Sequence, residues 1–228
     1  SGSVFQNVVR FSLPYLLSYF LQTLYGMADL FIVGQFEPVA ATTAVSIGSQ
    51  VMHMLTVMLV GLAMGTSVTI AQAVGAGDEK RVARAVGNTV TLFGGISALL
   101  TVLLLLLVRR ITAIMSTPAE AVDGTVRYLT ICFLGIPFIT AYNVLSSIFR
   151  GMGDSKSPMY FIACACVCNI ALDYLFIGAM HLGPAGAALG TTFSQAISVL
   201  LALLAISKRG LGLPLHRSDL RPDKAVSG

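Results

Sequence analysis

The sequence predicts an all-α membrane protein built as a bundle of six transmembrane helices. Three observations carry this. First, 56% of the 228 residues are Ala, Val, Ile, Leu, Met, Phe, Trp, Tyr or Cys, and only 11% are charged, about half the charged share of a soluble domain. Second, six apolar stretches each supply the roughly 20 helical residues that cross a hydrocarbon core of about 30 Å. Third, the cations fall in short clusters between those stretches, a pattern that reads as membrane topology. The net charge of +4 does not mark a nucleic-acid surface, because no face gathers Lys and Arg beside stacking aromatics.

The spans fall at 11–34, 43–73, 85–108, 125–149, 158–179 and 186–207. The first is too long for the apolar core of a cleaved signal peptide and has no small-residue cleavage site after it. The second is long enough to tilt or to project beyond the bilayer. Glu37-Pro38, Gly75-Ala76-Gly77-Asp78, Ser116-Thr117-Pro118, Gly151-Met152-Gly153-Asp154 and Gly183-Pro184 break the chain between spans. Within the fourth span, Pro137 predicts a kink. The spans make one membrane unit, residues 1–207. Residues 208–228 are polar, contain Pro214 and Pro222, and read as a cytoplasmic linker or tail.

Placing both termini in the cytoplasm puts eleven cations inside: Arg10, Lys80, Arg81, Arg84, Arg150, Lys156, Lys208, Arg209, Arg217, Arg221 and Lys224. Only Arg109, Arg110 and Arg127 then lie outside. The excess favours this orientation in a multi-pass protein of the plasma (inner) membrane.

Several chemistries are excluded by context. "AVGAGDEKRVARAVG" contains a G-x-G, but an apolar helix precedes it where a dinucleotide fold needs a strand. Its glycines read as a cytoplasmic turn, with Asp78-Glu79 opening the next helix. No P-loop, H-E-x-x-H or nucleophile elbow occurs, so no enzyme is expected. Cys164, Cys166 and Cys168 alternate on one helix and point to opposite sides. They are read, with Cys132, as small buried fillers and not as metal ligands. His53 is read as a packed polar residue. Tyr142 and Asn143 are read as helix–helix hydrogen bonders, with lining a cavity as the alternative for both.

Two acidic residues demand more. Asp29 lies in the first span and Asp173 in the fifth, each at a cost of roughly 2.5–3.5 kcal/mol at a helix centre. Both spans run outward. Asp29 precedes Gly34, and Asp173 precedes Gly178, by the same five residues, which sets both about 7–8 Å below the outer end. Pro14 and Pro158 each lie fifteen residues earlier, so a P-x14-D-x4-G frame occurs twice at an offset of 144. Asn169 shares a helix face with Asp173, and Gln22 and Tyr25 share one with Asp29. The sixth span carries Thr191, Ser194, Gln195 and Ser198 on one stripe. Two carboxylates, the Asn169 amide and the Thr191 hydroxyl can thus meet in one layer. Such oxygen-bearing groups suit H+ or Na+ better than a soft metal. Gln22, Tyr25, Gln195 and Asn143 are candidates for lining a cavity beside them. In the plain structural reading, these polar groups only bind helices together, at about 0.6 kcal/mol each.

With these residues in view, the chain resembles a known family. "YGMADLFIVGQ", "AQAVGAGDEKR", "FRGMGDSKSP", "NIALDYLFIG" and "GAALGTTFSQ" stand in the order expected of a multidrug and toxic compound extrusion (MATE) transporter. The resemblance implies one six-helix lobe, the N-terminal one, of a two-lobe transporter. It implies an antiporter that exports cationic or amphipathic compounds, driven by H+ or Na+, with no cofactor beyond a bound Na+. It carries the coupling-ion site onto Asp29, Asn169, Asp173 and Thr191. It also implies a second six-helix lobe, from the rest of a longer chain, a separate half or a second copy. Two alternatives stand beside it. One is a flippase of related fold for lipid-linked precursors, which would need a more cationic cavity. The other is a non-transporting membrane scaffold, in which both acids only hold helices together.

Overall fold

The structure, a computed structural model, describes residues 3–209, apart from the side chains of residues 25, 26 and 209. Seven α-helices follow in chain order among them: α1 (Val4–Phe36), α2 (Val39–Gly75), α3 (Glu79–Ile114), α4 (Val122–Leu134), α5 (Ile136–Gly151), α6 (Lys156–Asp173) and α7 (Pro184–Arg209). A 3-10 turn, Ala119–Ala121, leads into α4, and a π-helical turn, Tyr174–Ala179, continues α6. Residues 210–228, which hold most of the expected tail, lie outside the described residues.

Five helical stretches are long and apolar enough to cross a membrane, and α4 with α5 makes a sixth span bent by 45°. This matches the six expected spans. α1, α2 and α3 run on beyond them, because a helix does not stop where the hydrocarbon does. The break between α4 and α5 falls at Gly135, with Pro137 in the first turn of α5, where its missing N–H costs nothing. Backbone groups at the break stay satisfied, as a bilayer demands. Gly135 N–H reaches the carbonyls of Ile131 and Cys132, and Gly135 C=O accepts from Phe138 and Ile139. The α2–α3 turn also forms as expected: Gly77 takes φ +72°, and Asp78 caps α3 by accepting from Arg81 N–H at 3.2 Å.

α7 runs against α1, α2, α4, α5 and α6, whereas α3 lies to one side, against α2, α4 and α5. Three buried apolar clusters surround this arrangement. One joins Ile32, Val45, Leu129, Phe133 and Ile177; a second joins Ile70, Val86, Phe93 and Ile148; a third joins Tyr142, Phe161, Ile162 and Ala202. Many large apolar side chains, such as Phe31, Leu106 and Val167, point outward, as they must in lipid.

Hydrogen bonds set the register of α1 against α6. Ser155 Oγ donates to Phe11 C=O at 2.8 Å, and Cys166 Sγ donates to Leu21 C=O at 3.1 Å. These pairs are 144 and 145 residues apart, close to the offset between Asp29 and Asp173. The two helices therefore lie parallel and in step. Toward their C-terminal ends Tyr174 Oη donates to Gln35 Oε1 at 3.4 Å, and its ring meets Phe36 edge-on.

Most Ser and Thr hydroxyls bond within their own helix. Ser194 donates to Gly190 C=O and Ser198 to Gln195 C=O, each at 2.7 Å. On the α7 stripe only Thr191 reaches across to another helix. The cysteine expectation needs correction. Cys132 is buried, but Cys164 is exposed and Cys166 and Cys168 are partly so, because α6 shows one side to the outside of the bundle.

Small residues let helices approach. A Cβ on Gly151 of α5 would lie 2.6 Å from Ile70 Cβ and 3.0 Å from Ser67 C=O on α2. Nearby, Ser67 Oγ donates to Ser147 C=O at 2.9 Å. Gly151→Leu is therefore expected to destabilise the protein by about 1–3 kcal/mol through overpacking. Thermal unfolding in detergent measures this, and an unchanged midpoint would contradict the close α2–α5 packing.

Candidate functional site

Asp29 on α1 and Asp173 at the end of α6 are both 0% exposed. The parallel register of their helices sets them at one level. Asn169, one turn before Asp173, lies between them. One end of its amide is 3.0 Å from Asp173 Oδ2 and 3.1 Å from Asp29 Oδ1. The other end is 3.3 Å from Thr191 Oγ1. With nitrogen toward the acids, the amide donates to both carboxylates at once, an orientation assigned from the hydrogen-bond network. Thr191 Oγ1 donates to Asp29 Oδ2 at 2.7 Å. The four residues singled out by depth in the sequence thus form one connected cluster from α1, α6 and α7. Thr191, not its neighbour Thr192, is the hydroxyl in it.

The cluster is short of donors. Asp173 Oδ1 is buried without a hydrogen-bond partner. A buried acceptor left unpaired costs about 1–3 kcal/mol, more when charged. Two carboxylates in one buried site do not both ionise readily without a cation. Two carboxylates, an amide that can turn its oxygen inward and a hydroxyl make an oxygen donor set that fits a proton or Na+.

The cluster opens on a cavity of about 90 Å³. Asp29 and Thr191 lie on its wall, with Gln22 from α1, His53 from α2, Tyr128 from α4 and Gln195 from α7. Gln22 Nε2 and Gln195 Oε1 are buried without partners. Among the described residues that line the cavity, none is Lys or Arg. Tyr25 belongs to α1, but its side chain lies outside the described residues. Asn143 stands apart from this cavity. It is buried, and its Nδ2 donates to Ile139 C=O at 2.8 Å within its own helix. Tyr142 does make the expected helix–helix bond, from its Oη to Pro158 C=O at 3.1 Å.

His53 also departs from expectation. It is exposed on α2 and faces the cavity, because the helix face that carries it has no packed neighbour there. Sequence reasoning missed Tyr128 and Cys132. Tyr128 stacks its ring on Gly48 and pairs its Oη with Ser49 Oγ at 3.2 Å. Their one available signal was spacing: residues 128 and 132 are one turn apart, on the face that also buries Leu129 and Phe133.

Comparison with known proteins agrees with this architecture. The MatE family model matches residues 14–175. The probable multidrug resistance protein YpnP of Bacillus subtilis is 32% identical over 210 residues, 92% of this chain and 47% of its own. The multidrug export protein MepA of Staphylococcus haemolyticus is 26% identical, over 99% of this chain and 50% of its own. A crystal structure of MATE in the bent conformation superposes with a TM-score of 0.92 at 27% identity, covering 99% of this chain and 50% of that one. The chain spans about half the length of the curated relatives it matches. With helices that span a membrane several times over and a family match across most of its length, the chain belongs to the MatE family of multidrug efflux transporters.

Proposed function

We propose that the chain is the lobe of a cation-coupled antiporter that holds the coupling-ion site, and that the transporter exports cationic or amphipathic compounds. One observation carries this reading. Asp29 and Asp173 are both wholly buried, share one amide, and leave Asp173 Oδ1 without a partner. Helix packing alone has no need of a second acid with an unpaired oxygen. A site that gains and loses H+ or Na+ does need it, because its charge must change.

The residues divide the work. Asp29 and Asp173 supply the charge that the ion neutralises. Asn169 serves either state: its nitrogen bridges the two carboxylates when the site is empty, and its oxygen can turn to an arriving cation. Thr191 ties Asp29 to α7. When the site loads, the repulsion between α1 and α6 falls, so the resting position of α1 depends on the ion. The cavity beside Asp29 shares that wall. Ion and exported compound then bias the same helix, the condition for coupling two sites.

The cavity also bears on what is exported. It presents a carboxylate, amides, hydroxyls and one imidazole, with no Lys or Arg among its described lining residues. That favours a cation over the anionic headgroup that a lipid-linked precursor flippase would take. Its volume of about 90 Å³ is below the roughly 300–1,000 Å³ of a pocket for a drug-sized ligand. A second six-helix lobe is therefore proposed to complete the compound-binding space. Both termini of this lobe are placed in the cytoplasm, in a plasma membrane.

Export of a fluorescent organic cation from liposomes carrying this lobe joined to a second six-helix lobe, under imposed H+ and Na+ gradients, tests the proposal. Asp173→Asn is expected to lower gradient-driven export by about tenfold or more, since it removes one of the two carboxylates whose charge the ion neutralises. Its thermal stability should stay near that of the unsubstituted protein. Undiminished coupled export in Asp173→Asn would overturn the proposal. The more effective gradient identifies the ion.

Topology is tested separately, in a background without the four native cysteines. A cysteine replacing Lys80 should react with an impermeant maleimide only from the cytoplasmic side, and one replacing Thr117 only from outside. The reverse pattern would invert the assigned orientation.

A further inference from the structure

Three consecutive residues of α7 face three different helices. Thr191 donates to Asp29 on α1. Thr192 lies against the break in the fourth span, where a Cβ on Gly135 would come within 2.9 Å of its Oγ1. Gly190 lies against Asp173: a Cβ there would overlap Asp173 Oδ1 and lie 3.4 Å from Cγ and 3.6 Å from the backbone nitrogen. The oxygen that faces Gly190 is the one without a hydrogen-bond partner. The other oxygen faces Asn169. The Asp173 carboxylate is therefore held on one side by an amide and on the other by the absence of a side chain.

From this geometry we infer that Gly190 is a positioning residue: lacking a Cβ, it leaves the space that keeps the Asp173 carboxylate turned toward Asn169 and Asp29. The inference rests on reading this cluster as the coupling-ion site. Any side chain at position 190 would force a choice. Either Asp173 rotates away from Asn169, or α7 withdraws from α6 and carries Thr191 away from Asp29. Both loosen the same ligand set, and a binding site about 1 Å too loose loses function.

A glycine between two helices can also serve close packing alone, and α7 supplies the control. Gly186 lies one turn nearer the outer end. A Cβ there would come within 3.1 Å of Leu182 Cβ and 3.2 Å of Ile177 Cγ1, with no carboxylate among its nearest neighbours. A methyl at 186 crowds this end of the helix; a methyl at 190 crowds Asp173.

The test compares Gly190→Ala, Gly186→Ala, Asp173→Asn and the Gly190→Ala/Asp173→Asn double variant in the reconstituted two-lobe transporter. Two quantities are read: the thermal midpoint, and the H+ or Na+ concentration that half-saturates export. Gly190→Ala is expected to raise that concentration about fivefold or more, while Gly186→Ala leaves it within about twofold even where the midpoint falls. The double variant should match Asp173→Asn in ion response, because the methyl acts through that carboxylate. Gly190→Ala with an unchanged ion response, or with a loss shared equally by Gly186→Ala, overturns the inference. Should Gly190→Ala fail to accumulate, adding Asp173→Ala relieves the overlap. Recovered accumulation supports the inference, and failure to recover overturns it. If Asp173→Asn itself keeps the full ion response, the proposed function fails, and the inference fails with it. A response lost in Asp173→Asn but untouched in Gly190→Ala sinks the inference alone.

Discussion

Two carboxylates buried side by side govern much of this bundle. In a bilayer each costs roughly 2.5–3.5 kcal/mol at a helix centre, and their mutual repulsion adds to that. The surrounding residues answer that cost. α1 and α6 lie parallel and in step, fixed by bonds from Ser155 to Phe11 and from Cys166 to Leu21. That register sets Asp29 and Asp173 at one depth, where a single amide, Asn169, serves both. A slip of one residue along either helix would turn its acid by about 100°, out of reach of that amide. The remaining shortfall is the unpaired Asp173 Oδ1, and the proposed coupling role rests on it.

α7 connects this pair to the rest of the lobe. Packed at the centre, it brings Gly190, Thr191 and Thr192 to Asp173, Asp29 and the Gly135 break in turn. Successive residues on a helix diverge by about 100°, so one short stretch can touch three neighbours only where helices surround it. The site is consequently not a private arrangement of two acids. It is wired to the bent fourth span, whose residues Tyr128 and Cys132 line the same cavity. A movement that separates α1 from α7 alters the Asp29 cluster and the cavity together. In the proposed antiporter, this shared wall is what would couple the ion to the exported compound.

Glycine and hydroxyl residues have different roles here. Lipid offers little hydrophobic drive for helix association, so close approach matters. Gly48 against Tyr128, Gly151 against Ile70 and Gly190 against Asp173 all mark places where a side chain would collide. The hydroxyls, in contrast, mostly satisfy carbonyls on their own helix. The bundle is therefore held by fit more than by polar glue, which leaves the polar cluster at Asp29 and Asp173 free for another purpose.

The sequence by itself determined the number of spans and the breaks between them, because apolar length and Gly/Pro breaks answer directly to the thickness of the bilayer; the ends of α1, α2 and α3 lie beyond the expected limits. It also determined the level of the two acids, since depth along a helix is a count of residues from its end. Asn169 and Thr191 were legible for the same reason. What it could not determine was azimuth: which face of each helix meets which neighbour. That is decided by packing among helices far apart in sequence. Hence Asn143 falls inside α5's own hydrogen bonding, away from the cavity. His53 faces the cavity and is not packed, Cys164 turns outward, and Tyr128 and Cys132 enter the wall unannounced. Gly190 shows the division most plainly. In sequence it is one small residue in a small-residue run. Only the placement of α6 beside α7 sets it against Asp173, because a contact between two helices is a property of neither alone.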